Sequence, residues 1–170
     1  WTIVPYWTID AFYAISLFLC ATAQQVHTHA RRLLAAQLVC IGCFLLFPLR
    51  FSFDKPDTHG FFGWLFDTLA GFDKPFNQAP SLHIVLLVIL WVLYTRHLRR
   101  AWHWLLRAWF ALIGVSVLTT YQHHFIDVPT GLWAGCFCVW LLADESTTWR
   151  LTEDRTRRRI ASSYALGALL

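Results

Sequence analysis

Five long apolar stretches, separated by three short polar links and one longer segment at 50–80, constrain this chain more than any other feature of it. They run over about 6–23, 33–49, 81–95, 101–120 and 128–143. A helix of roughly 20 apolar residues crosses a bilayer core, and a backbone in hydrocarbon must satisfy its polar groups internally. The sequence therefore predicts an all-α fold, a polytopic membrane helix bundle with about five spans. The third and fifth stretches are short for full crossings, which predicts helices that begin inside the outer boundary. Composition agrees: 57% of residues are hydrophobic and only 14% charged, too little charge to cover a soluble domain. The 10 Trp and 14 Phe suit a membrane–water interface.

The basic residues supply an orientation. They gather in the links 24–32 and 96–100 and in the tail after Ala143, and basic loops stay cytoplasmic. Five spans put these three segments on one side, leaving 50–80 and 121–127 on the other. Each basic run ends an apolar stretch, so topology explains it and no nucleic-acid partner is expected. Cys20, Cys40, Cys43, Cys136 and Cys138 all lie within apolar stretches, where Cys behaves as a small hydrophobe. Cys40-x-x-Cys43 has no second pair at zinc-like spacing. The chain contains no Met, so a processed chain or a fragment is expected, and its first residues lack the charged start of a signal peptide, so none is expected there.

Within 50–80, Phe61, Phe62, Leu65, Phe66, Leu69 and Phe72 recur at helical spacing between Gly60 and Gly71. That period predicts an interfacial amphipathic helix on the outer side; a hydrophobic loop packed on the bundle is the alternative. Residues 1–145 form the membrane-embedded domain, and 146–170 a basic cytoplasmic tail with the start of a possible further element.

Of eight histidines, His27, His29, His97 and His103 lie in or near the basic segments, and His59 stands alone. His83, His123 and His124 differ. They sit at helix starts, and two crossings separate His83 from the pair, so the chain returns to the same face. In Gln78-Ala79-Pro80-Ser81-Leu82-His83, Ser81 is a helix N-cap candidate, which is the plain reading of the motif. The functional reading puts an imidazole one turn into a helix whose free N–H groups attract phosphate. In Gln122-His123-His124-Phe125-Ile126-Asp127-Val128-Pro129, Asp127 lies four residues after His123, in reach of its ring on a helical turn. Such a carboxylate orients an imidazole for nucleophilic attack; alternatively Asp127 only caps the fifth span, with Pro129 in its first turn.

Ser81-Leu82-His83 followed by His123-x-x-x-Asp127 resembles the second and third signature motifs of the type 2 phosphatidic acid phosphatase superfamily. The wording from Gln122 to Val128 is similar to its inositol phosphotransferase-like branch, which includes inositol phosphorylceramide synthases. The resemblance covers roughly residues 45–135. It implies a cofactor-free, metal-independent phosphoric ester hydrolase or phosphotransferase of lipid metabolism, with a lipid phosphate substrate drawn from the membrane. It further implies His123 as nucleophile, His83 as general acid and Asp127 as the orienting carboxylate. The expected location is a bacterial inner membrane, with the site facing the periplasm or exterior. The sequence departs from the superfamily pattern at Leu82, usually Gly, and at Val117, usually Arg, and it has no Lys…Arg-Pro first motif. Phosphate charge then falls to Arg50, Lys55, Lys74 and the helix N-terminus at Ser81.

Two other classes compete: a haem- or metal-binding membrane protein using histidines of different spans, and a transporter in which Asp10 and Arg107 are intramembrane charges.

Overall fold

Each apolar run is rich in Leu, Ile, Val, Phe and Trp and keeps Pro at its edges, so nothing interrupts an internally hydrogen-bonded helix. The computed structural model, which describes residues 1–53, 55–72, 76–143 and 159–164, is all helical, with no strand among the described residues. Helices α1 (Ile3–Leu19), α2 (Ala23–Leu46), α3 (Gly60–Phe72) and α4 (Leu82–His97) are followed by a 3₁₀ turn (Arg100–Trp102), α5 (His103–Thr119) and α6 (Asp127–Leu141). Lys74 and most of the basic tail lie outside the described residues.

α2 corrects one expectation. It begins ten residues before the apolar run, so 24–32 is helix and not a link. The cause is a capping arrangement: the Thr22 hydroxyl accepts from Gln25 N–H at 3.2 Å, and Gln25 Oε1 accepts from Ala21 N–H at 2.9 Å. The polar residues of this first stretch find internal partners. His29 Nε2 lies 2.8 Å from Ser16 Oγ, and Arg32 Nε donates to the Leu142 carbonyl at 2.9 Å. The Arg32 contact still ties the start of α2 to the end of α6, so these two segments meet at one end of the bundle.

α4 is the hub. It packs most extensively on α6 and also touches α1, α2 and α5. The close approach of α4 and α6 depends on two glycines one turn apart. A Cβ on Gly131 would meet Ile84 Cβ at 2.8 Å and the Ser81 carbonyl at 2.9 Å, and one on Gly135 would meet Val88 Cβ at 2.7 Å. Small residues four apart let helix backbones draw together. At the other end of α4, Tyr94 donates to the Phe12 carbonyl at 2.9 Å and locks α4 to α1.

The Phe-rich segment is a helix, as its period predicts. α3 buries Phe66 and Leu69 against Ile3, Tyr6, Ile84 and Val117, while Phe61, Phe62 and Trp64 stay exposed. It packs by one face on the end of the bundle where α1, α4 and α6 begin and α5 ends.

Two stretches are long and apolar enough to cross a membrane, Ala23–Leu46 and Arg100–Thr119; Ile3–Leu19 and Leu82–His97 are apolar but shorter. At 1.5 Å per residue the 16 residues of α4 reach about 24 Å against a core of about 30 Å.

Candidate active site

The α4 end of the site is set by main-chain geometry. Ser81 N–H donates to the Asp127 carbonyl at 3.2 Å, and the Ser81 carbonyl accepts from Val85 N–H at 3.0 Å. Ser81 occupies the N-cap position as expected, yet its hydroxyl makes no capping bond. Ser81 Oγ is instead buried without a hydrogen-bond partner among the described residues. Just before it, buried Gln78 donates from Nε2 to the Gln122 carbonyl at 3.2 Å and ties the two motifs together. His83 follows on the first turn of α4. Its ring stacks on Tyr6, with centroids 4.0 Å apart and planes at 25°, a contact of about 0.5–1.5 kcal/mol beyond burial.

The other half comes from the turn between α5 and α6. Tyr121 takes φ 58°, a left-handed conformation that reverses the chain. His123 N–H then donates back to the Val117 carbonyl at 3.2 Å, which turns the His123 side chain into the bundle, only 5% exposed. Asp127 opens α6. Its Oδ2 accepts from His124 N–H at 2.8 Å and lies 3.4 Å from His123 Nδ1. Residues 121–126 are therefore a turn and not the helical turn that the spacing suggests, and the carboxylate reaches His123 by capping that turn. Asp127 is 1% exposed. A carboxyl group so buried needs polar partners, and it has the His124 N–H bonded to it and the His123 ring beside it. The His83 and His123 rings face each other at 6.3 Å between centroids, inclined at 60°.

The adjacent pair is thus divided. His123 is buried between Asp127 and His83, whereas His124 turns outward, stacks on Phe51 at 4.5 Å and accepts from Ser52 N–H at 3.3 Å. That contact pins 51–53 beside the site, immediately after exposed Arg50. Lys55 Nζ sits 4.2 Å above the Phe66 ring, held against α3. His83, His123, Asp127 and Ser81 are brought together; Arg50 and Lys55 lie in the segment before α3, and no contact of either with His83 or His123 occurs among the described residues. A proton on His123 Nδ1, facing the carboxylate, leaves the Nε2 lone pair free to attack an electrophile.

Tyr6, Gln78 and the glycines of α6 escaped the sequence reading. The spacing Gly131-x-x-x-Gly135 is a signal that could have been used. Nothing in the sequence points Tyr6 at His83, because the rotation of α1 is set by packing. Among the described residues no group of three His, Cys, Asp or Glu side chains could share a metal ion. Asp10 and Arg107 are both exposed on their helices.

No family model matches the chain, and no curated protein or solved structure matches it either.

Proposed function

We propose that this chain is a membrane-embedded phosphatase acting on a lipid-linked phosphate ester through a phospho-histidine, with its site at the non-cytoplasmic face. The observation that carries the reading is the buried His123, between the Asp127 carboxylate at 3.4 Å and the His83 ring at 6.3 Å. His123 Nε2 attacks phosphorus, the bond from phosphorus to the lipid oxygen breaks, and His83 gives that oxygen its proton. Water then attacks the phospho-histidine, passes a proton to His83, and the phosphorus–nitrogen bond breaks. Asp127 stabilises the imidazolium on the way, and the chemistry calls for no metal. Arg50 and Lys55 bind phosphate charge in place of the Arg that Val117 replaces. The resemblance to the type 2 phosphatidic acid phosphatases adds weight to these roles.

The membrane reading extends α1, α4 and α6 to crossings beside the two longer helices, five in all, with their short lengths made up at the boundary beneath α3. A Cys placed near Asp57 would then react with an impermeant thiol reagent from outside intact cells, and one near Arg99 would not; the reverse pattern moves the site to the cytoplasm.

Transfer to an alcohol acceptor is the second reading, favoured by α3, which packs over this end of the bundle and would exclude water. Product partitioning separates the two. Purified protein with a labelled lipid phosphate is expected to release free phosphate that added alcohols do not divert. Negligible release until an acceptor is supplied makes it a phosphotransferase, and no turnover of any lipid phosphate removes the proposal.

A further inference from the structure

Although α5 and α6 are joined by a short turn, they make almost no contact with each other. Between them lies a groove of about 500 Å³ floored by α4. Its upper wall is made of Ile84, Leu118 and Val128. Ile84 follows His83 and Val128 follows Asp127, and all three pack in the cluster that includes Tyr6, the residue stacked on His83. The groove therefore starts among the immediate chain neighbours of His83 and Asp127, although neither of those side chains lines it. From Leu118 it descends α5 as far as Arg107, a rise of about 16 Å, and ends where the Arg107 guanidinium lies 5.8 Å from the Trp91 ring. Midway the wall is thinned by Ala111 and Gly114. A Cβ on Gly114 would meet nothing within 4 Å except Leu87 Cδ2 at 3.7 Å.

We infer that this groove holds one hydrocarbon chain of the substrate, hanging from a phosphate group bound at His83 and His123, with Gly114 setting the width and Arg107 with Trp91 the depth. The inference rests on the phosphoryl-transfer reading for its head group. Size argues against a helix as occupant: a helix about 10 Å across and 16 Å long takes up about 1,250 Å³, more than the roughly 1,040 Å³ of empty space in the groove even with its open mouth included. Chemistry argues for a chain, because Arg107 brings the only charge to an otherwise almost wholly apolar lining. Placement argues for substrate over bulk lipid, since a bilayer chain beneath the site would have to leave before a lipid ester could reach His123 with its own chain beside it.

The test uses the full chain in lipid nanodiscs with an alkyl phosphate carrying a photoactivatable diazirine at the far end of the chain. Label should concentrate on the groove residues near Ala111 and Arg107 and fall at least fivefold in Gly114→Leu, a change the Leu87 contact accommodates. In parallel, Gly114→Leu should lower the ratio of hexadecyl phosphate to soluble aryl phosphate turnover at least tenfold. Groove labelling with no turnover of any ester would keep the chain site and remove the phosphoryl chemistry. Label spread evenly over outward residues such as Leu38 and Leu45 overturns the inference. So do an equal fall for both substrates, which marks damage to the site, and labelling that gives way to cross-links between two copies.

Discussion

At the end of the bundle where α2 begins, buried polar side chains pair with one another or with main chain. Ser16 Oγ donates to the Tyr13 carbonyl at 2.6 Å and lies 2.8 Å from His29 Nε2, and Arg32 Nε holds the Leu142 carbonyl. Because a hydroxyl has one proton, that pattern makes His29 Nε2 the donor to Ser16. At the opposite end the chain buries Ser81 Oγ, Gln78 Oε1 and His123 Nδ1 without a hydrogen-bond partner among the described residues. Buried polar atoms are ordinarily satisfied, since an unmade bond there costs about 1–3 kcal/mol. Pairing lowers that penalty where it is made, as between Ser16 Oγ and His29 Nε2. Of the three atoms at the His83–His123 end only Ser81 Oγ can donate to an anion, because Gln78 Oε1 is an acceptor and His123 Nδ1 lies 3.4 Å from the Asp127 carboxylate. Two histidines of similar burial thus have different neighbours, a hydroxyl for His29 and a carboxylate for His123.

The largest expected effect breaks or supports this contrast directly. His123→Ala should lower phosphate release by at least about 10⁴ while thermal unfolding stays close to the parent. A variant with parental turnover would transfer the nucleophile's role elsewhere, with His124→Ala the next to measure. Asp127→Asn should follow, with kcat down by about 10²–10⁴ and KM little changed. The amide oxygen can still accept from His124 N–H, so this variant separates the charge of Asp127 from its capping.

Gly131→Ala tests whether the close approach of α4 and α6 builds the site. Its Cβ would press on Ile84 and the Ser81 carbonyl, and such overpacking costs about 1–3 kcal/mol. Gly135→Ala presses on Val88 one turn deeper and should lose similar stability but less activity. Equal activity loss in both would mean that general destabilisation, and not the Ser81–Asp127 contact, is being measured.

His29→Ala is the mirror of His123→Ala. It should reduce stability by about 1–3 kcal/mol, read from a denaturant or thermal midpoint, and leave the turnover of folded protein intact. A dead but folded His29→Ala would erase the distinction between the two ends. The smallest effects belong to Arg50→Gln and Lys55→Gln, each raising KM about three- to tenfold with kcat nearly constant. For Lys55 the loss of its contact with the Phe66 ring adds about 0.5–1 kcal/mol.

The helical class, the approximate place of each apolar helix and of α3, and the pairing of His83 with His123 and Asp127 could all be read along the chain. Hydrophobic periodicity, turn punctuation and the parity of helix passes are one-dimensional properties, so they survive without coordinates. The start of α2 was mislaid because 24–32 is polar, and only tertiary partners, Ser16 for His29 and Leu142 for Arg32, make burial of those residues tolerable. The spacing to Asp127 already set His123 apart from His124, but the inward turn of its ring follows only from the reversal of the chain at Tyr121. Helix rotation, which sets Tyr6 under His83, and helix separation, which opens the groove at Gly114, are decided by packing between elements far apart in sequence. No local pattern encodes a distance between two helices, and so the partners of the site belong to the tertiary structure, whereas its candidate residues were already visible in the chain.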